Sequence, residues 1–405
     1  MVSLDEAFRL MSGMCQEIGT ENIDLMETLN RVLAHDILSA ENIPPFDRSP
    51  FDGYAMRAAD LASASADQPV TLRVIAEVPA GNIPKLAVNP GQATKIMTGA
   101  PIPHGADCVV KFEKVSVDDA WVIVSAPFQS GQNIIPTGED IEKGEMIAQK
   151  GVMIDPALMG ILASLGIADV SVYLRPNVAI LSTGDEIVPI DADLPSGKAR
   201  DSTAFALAGA LRAIGAKPNY MGIVRDDAKA IGEAIEEGLR GADMMITTGG
   251  VSVGDYDLVK EALQRIGADI LFWRIRIKPG AAVLVARKYG KMILGLSGSP
   301  GAAMISFQLL AAPYVRRIAG QDQWQNKEID VTLSEWFKKP SPRKRLVRGR
   351  LLIEDGGAVM VVTEKQGNGV LSSFIGASLL GVIPEDSGPL PPGTRIKAYV
   401  TRGVL

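Results

Sequence analysis

Between residues 177 and 318 the chain alternates short apolar runs with amphipathic stretches of helical period. Apolar runs at 177–182, 219–224, 243–247 and 270–274 are of strand length, and the segments 203–214, 228–239, 258–266 and 302–318 place apolar residues at three- and four-residue intervals. This βαβα alternation predicts a parallel sheet with helices on both faces. At the N-terminus Ser3 and Glu6 form a capping box ahead of a helix whose core face carries Leu4, Ala7, Phe8, Met11, Met14 and Ile18. The run Ile43–Asp52 is too rich in proline for helix or strand and reads as an ordered polar loop. Short alternating segments at 71–76, 92–97, 108–112 and 121–124 predict a small β domain, and 156–166 a connecting helix. Beyond Gly320 strand patterns return near Val331, 346–352, 358–362 and 396–400, predicting a further β domain.

Length sharpens this picture. At 405 residues the chain exceeds one ordinary core, so several domains are expected. Net charge of −6 argues against a general nucleic-acid or anionic-membrane surface. No apolar run reaches the roughly 18–20 residues of a spanning helix, and the polar N-terminus does not resemble a secretory leader. Two cysteines, Cys15 and Cys108, give no disulfide framework and suggest a reduced cytoplasm. The two histidines, His35 and His104, belong to no Cys/His cluster, which argues against zinc and a histidine-based triad. Any metal is expected to be oxygen-bound.

The candidate chemistry sits where the predicted strands end, since open α/β sheets bind ligands at their carboxyl edge. Four polar loops fall there: 183–186, 225–227, 248–257 and 295–301. The run Thr248–Asp257 is the most informative: Gly249, Gly250 and Gly254 permit close main-chain approach to an anion, and Asp255 and Asp257 are hard donors suited to Mg²⁺ beside phosphate. An ordinary strand–turn–helix corner would explain the glycines alone. Asp185, Glu186, Asp226 and Asp227 join the two later aspartates at this edge, where converging carboxylates call for a cation. Asp227, one residue ahead of a helix, suits an N-cap; Asp226 and Asp257 are the better metal ligands. Lys278 follows Arg274 and Arg276, read as alternating along one strand face, with Arg276 merely solvated. Gly298–Gly301 opens a helix, as an anion-facing start or a tight turn. A basic run at 343–350, with Arg348 and Arg350 grouped by alternation, is either a solvated face or an anion contact.

Five ordered motifs then carry a resemblance. Phe51–Ala55, Ile96–Pro101, Thr137–Asp140, Ser182–Glu186 and Thr248–Gly254 resemble those of the molybdopterin molybdenumtransferases, the MoeA family that includes the gephyrin E domain. The resemblance spans essentially the whole chain. It implies a multidomain α/β plus β fold. Residues 1–53 and 141–176 would form a helical and extended linker region, 54–140 an inserted β domain, 177–320 a parallel α/β molybdopterin-binding domain and 321–405 a C-terminal β-barrel-like domain. It also implies a homodimer with its site at the subunit interface, and Mg²⁺-dependent conversion of adenylylated molybdopterin and molybdate into molybdenum cofactor and AMP. Carried over by motif, the catalytic positions are Asp52, Thr98, Glu186, Asp226, Asp257 and Lys278, with Asp226, Asp257 and Glu186 toward the metal. Substrate contacts would come from Thr183, Gly184, Asp185, Gly249, Gly250, Ser252, Gly254, Arg274, Ser299, Pro300, Arg348 and Arg350.

This chain departs from the family pattern at Ala281 and Ala282, at Ser299, at Thr203 after Asp201-Ser202, at Ile135 and Pro136, and at Asn368. The departures motivate an alternative, a non-catalytic pterin-binding or scaffold paralogue. Adenylyl transfer to molybdopterin ranks last, because Val251 and Ser252 follow the glycine pair where that activity's family has Thr-Gly.

Overall fold

The structure is a computed structural model and describes residues 1–251, 258–354 and 357–401. Contacts divide the chain into two compact units. One contains Met1–His35, Lys150–Pro156 and Asp169–Leu405, the other Asp36–Gln149 and Ala157–Ala168.

The first unit is built on a six-stranded sheet, ordered Lys217–Val224, Asn177–Thr183, Met244–Thr248, Lys291–Leu296, Val283–Lys288, Asp269–Trp273. The first four strands run parallel, and the last two are antiparallel additions. The expected parallel sheet is present as these four strands, with two strands paired antiparallel added at one edge. The sequence reading lacks the hairpin Val283–Lys288/Lys291–Leu296, whose nearly unbroken apolar run carries little of the period-two alternation that marks a half-buried strand. Its two-residue turn, Tyr289-Gly290, has φ of 53° and 78°, the type I′ geometry that suits a right-twisted hairpin.

Alternation along each buried strand divides the core. Val178, Ile180, Met244, Ile246, Val285 and Leu294 face Leu207 and Leu211 of the Ser202–Ala213 helix, the long C-terminal helix, and Leu4 and Met11 of the capped N-terminal helix. Ala179, Leu181, Met245, Leu284 and Ile293 face Ile231, Ile235 and Leu239 of Ala228–Gly241, and Val259 and Leu263 of Leu258–Arg265. The predicted 302–318 helix begins at Pro300 and contains a π turn over Phe307–Ala311. Pro313 lies just beyond that turn; it lacks an N–H, so regular i→i−4 bonding cannot pass through it.

The C-terminal strands close into a barrel, ordered Glu328–Leu333, Gly357–Val362, Arg345–Glu354, Leu379–Ile383, Arg395–Val400. Leu379–Ile383 is absent from the sequence-based strands. Leu346 and Leu380 on the barrel's outer face belong to the α/β core, joining the two layers within this unit.

The second unit holds a six-stranded sheet, ordered Cys108–Lys111, Gly53–Met56, Gln92–Ile96, Val70–Val78, Trp121–Val124, Val115–Asp118. Gly53–Met56 and Val115–Asp118 extend the four predicted strands. The proline-rich loop is ordered as expected, because paired backbone hydrogen bonds hold both its sides. Arg48 and Ile135 exchange N–H···O bonds of 2.9 Å, while the Ser49 N–H bonds Ala100 O at 3.0 Å and the Gly99 N–H bonds Ser49 O at 2.8 Å.

Candidate active site

The four parallel strands deliver the four expected loops to one sheet edge: they end at Thr183, Val224, Thr248 and Leu296. At the first two ends the loops lock together. The Asp185 N–H lies 3.4 Å from Asp226 Oδ2, and the Asp226 N–H lies 3.3 Å from Asp185 Oδ1. Both side chains are exposed, so two carboxylates face solvent from adjoining loops. Glu186 is turned back against Gly184, where a Cβ would come within 2.6 Å of Oε2. Asp227 caps the following helix through a 2.8 Å bond from the Ala230 N–H, the structural role its position predicts.

The Thr248 loop packs against its neighbours more closely than a generic turn. The Thr183 hydroxyl donates to Thr248 O at 3.2 Å, and a Cβ on Gly249 would sit 2.3 Å from Thr183 O. A Cβ on Gly250 would meet Val259 Cγ2 at 2.7 Å. The Gly249 N–H bonds Leu296 O at 3.0 Å, and the Gly184 N–H reaches Val224 O at 3.4 Å. These two glycines therefore serve close packing, and their amides are committed to the sheet edge, not to an anion. Ser252, Gly254, Asp255 and Asp257 lie outside the described residues. Among the described residues no three acidic, His or Cys side chains group as a ready metal cage.

The fourth loop adjoins the third: a Cβ on Gly298 would stand 3.5 Å from the Gly249 Cα. Ser299 precedes Pro300 at the helix start, and the Ala302 N–H is capped in the same chain by Asn368 O at 3.0 Å. Gly301 is required there, since a Cβ would come within 2.7 Å of that oxygen. The helix start thus carries a backbone cap from the barrel loop.

The basic residues correct the sequence reading most. Arg274 and Arg276 do not alternate along a strand, because the edge strand stops at Trp273 and Arg274 has φ 71°. The 274–276 segment instead pairs with Val2, through Val2 N–H to Arg274 O and Arg276 N–H to Val2 O, each 3.0 Å. Lys278 is exposed and bridges the first barrel residues: its N–H bonds Lys344 O at 3.0 Å, and the Leu346 N–H bonds its carbonyl at 2.9 Å. Arg348 and Arg350 share a strand but not an environment. Arg350 is exposed, whereas Arg348 is fully buried, with Nη2 3.2 and 3.3 Å from the carbonyls of Lys365 and Gly367 and its guanidinium 5.3 Å from the Phe374 ring. Burial lowers its pKa to about 10, so it stays charged at neutral pH. Gln366 fastens to the same strand through its side-chain oxygen and nitrogen, and together they hold the loop that carries Asn368.

Three contributors had no role assigned in the sequence reading. Lys198 Nζ donates to Asp185 O at 2.7 Å. Asp201, 3% exposed, caps Ser202–Ala213 through the Ala204 N–H and accepts the Tyr220 hydroxyl at 2.8 Å. Gln366 is the third. No motif distinguishes a lysine that acts on a distant carbonyl, whereas Gln366 stands in the family's Gln-Gly-Ser position and Asp201 ahead of a helical pattern was a readable N-cap signal.

In the second unit Asp52 Oδ1 accepts both the N–H and the hydroxyl of Thr98, at 2.7 and 2.8 Å. These bonds, the amide's first, hold the carboxyl below its usual pKa range. Asp47 grips Thr137 in the same way, at 2.7 and 2.8 Å. A pocket of about 400 Å³ lies beside Asp52 and Thr98, lined also by Phe51, Lys111, Glu113 and Lys114, with Lys111 Nζ 3.5 Å from the Phe51 ring centre.

Known proteins share this architecture. Family models match in order: the MoeA N-terminal region (domains I and II) at residues 2–166, a probable molybdopterin-binding domain at 179–317, and the MoeA C-terminal region (domain IV) at 330–401. The molybdopterin molybdenumtransferase of Bacillus subtilis (strain 168) is 33% identical over 99% of this chain and 94% of its own length. That of Staphylococcus aureus (strain Mu50) is 32% identical over 99% and 96%. The solved structure of the molybdopterin biosynthesis MoeA protein from Pyrococcus horikoshii OT3 superposes with a TM-score of 0.85 at 31% identity, covering 99% of this chain and 100% of that one. With three family domains in order and relatives matched end to end, this chain belongs to the molybdopterin molybdenumtransferase family.

Proposed function

We propose that the protein inserts molybdenum from molybdate into adenylylated molybdopterin, with cleavage of the pyrophosphate link and release of AMP, in a Mg²⁺-dependent reaction. The observation that carries this reading is the facing pair Asp185 and Asp226 at adjoining parallel strand ends. Two exposed hard-oxygen donors fit Mg²⁺, which is commonly held by one or two carboxylates plus substrate phosphate. Asp226, with Asp185 beside it, would hold it, and the resemblance adds Glu186 and Asp257 to that set. Bound there, the ion supplies neutralisation of phosphate charge.

The chain's own residues supply the rest. Thr183 and Thr248 line a rigid floor under the loops, and Lys278 adds a cation that stabilises negative charge developing on phosphate oxygens. Asp52, anchored on Thr98, is already ionised at neutral pH, and its catalytic assignment rests on the Phe51–Ala55 motif alone. Arg348 acts from beneath, holding the loop whose Asn368 carbonyl caps the Ser299-Pro300 turn. Homodimerisation, with the site at the subunit interface, and a cytoplasmic location belong to the same reading. In support, no described helix is long and apolar enough to cross a membrane.

The test is AMP release from adenylylated molybdopterin with Mg²⁺ and molybdate. Asp226→Ala is expected to lower kcat by about a hundredfold or more, the usual scale for losing charge stabilisation at a reacting phosphate. No AMP above a protein-free control, alongside an active relative, overturns the reading and favours the non-catalytic paralogue.

A further inference from the structure

The basic run of the barrel is a sequence feature the proposed site leaves unexplained. Lys338, Lys339, Arg343, Lys344 and Arg345 place five cations within eight residues of a chain whose net charge is −6. The segment is not a loose tail. Phe337 exchanges backbone bonds of 2.9 and 3.0 Å with Leu390, the Ser341 N–H bonds Ser387 O at 2.9 Å, and Lys344 and Leu346 bond Lys278. Pro340 and Pro342 stiffen the span between these ties.

Elsewhere the same barrel pairs its cations: Arg395 with Asp330, and Lys397 with Glu328 and Asp330. Among the described residues, none of the five ridge cations makes an ion pair with a carboxylate, and neither does Lys278. Lys338, Lys339 and Arg343 are exposed, and Trp336 beside them is 55% exposed. The bridge also sets Lys278 directly opposite Arg345, two residues of like charge. Like charges directly opposite destabilise a β pairing. Arg345 is further held over Phe337, and its buried Nε has no hydrogen-bond partner. An ordered, unpaired cationic ridge that runs into Lys278 calls for an anionic occupant arriving from solvent.

We infer that the 338–345 ridge is an electrostatic guide that draws small polyanions toward Lys278, deepening the functional reading above, on which it rests. The occupant is a multiply charged oxyanion, either the free metal oxyanion or the phosphate-bearing pterin. A surface cation cluster of this kind raises local ligand concentration and association rate, by about tenfold or more, and acts only within a Debye length.

The experiment neutralises the outer ridge and leaves Lys278, Lys344 and Arg345 intact, as Lys338→Gln/Lys339→Gln/Arg343→Gln. At an ionic strength of about 20 mM, kcat/KM is expected to fall on the order of three- to tenfold with kcat unchanged, and to converge with wild type near about 300 mM. Varying molybdate at saturating pterin, and the reverse, identifies which oxyanion is guided. In parallel, equilibrium binding of tungstate and of inorganic pyrophosphate to the whole protein is expected to weaken at low salt in the variant. Equal kcat/KM with equal salt slopes overturns the guide, as does unchanged anion binding. If wild type releases no AMP, the functional reading fails, while the binding titration still decides the ridge. Loss of binding to an acidic protein with small-anion binding intact also overturns it, in favour of a macromolecular partner.

Discussion

At the scale of single residues, the side chains divide into those that a motif announces and those that only contacts explain. Asp52 belongs to both groups: the Asp-Gly-Tyr-Ala motif marks it, and its two bonds to Thr98 give it a mechanical role as well. Its folded pKa is depressed, so the anchor is fully present above the ordinary carboxylate pKa of about 3.9 and is lost as pH falls through the lower folded value. Hydrogen exchange of residues 43–52 is therefore expected to stay slow at pH 5 and to rise only in stronger acid. Thr98→Val, which keeps the amide but not the hydroxyl, is expected to move that onset to higher pH. Asp201 is buried and doubly bonded, as helix cap and as acceptor for Tyr220. Asp201→Ala is expected to cost about 2 kcal/mol in urea unfolding, with Asp201→Asn recovering most of it. Arg348 shows the limit of pattern reading: alternation groups it with Arg350, yet one is sealed beneath a loop and the other is exposed.

At the scale of elements, strands and helices with a clear period were legible and continuously apolar ones were not. The Ala228–Gly241 helix shows its polar face in sequence, whereas Val283–Lys288 and Lys291–Leu296 are buried on both faces and carry little alternation to read. The close approach between loops is equally invisible beforehand. Gly249 has φ 93° and no room for a Cβ beside Thr183 O, so Gly249→Ala is expected to lower stability by about 3 kcal/mol in thermal unfolding. Gly301→Ala tests the barrel-to-helix cap. Its new methyl would press on Asn368 O, and exchange at residues 365–371 is expected to rise while the rest of the barrel stays protected.

At the scale of the whole molecule, the proposed homodimer is tested by light scattering after size exclusion, which is expected to give twice the chain mass. A monomer with full AMP release would sink the interface-site reading. The sequence by itself determined the fold family, the β and α/β character of its parts and the four loops at one sheet edge, because period, capping and motif order are local properties of the chain. Tertiary structure alone decided that the sheet is mixed, which five strands close the expected barrel, and that Asp185 and Asp226 tie their loops together through reciprocal N–H to carboxylate bonds. It also decided that Gly249 supports packing and that Lys278 stands beside the basic ridge. Those outcomes depend on which distant segments pack together, and burial and pairing energies between them leave no period in the sequence.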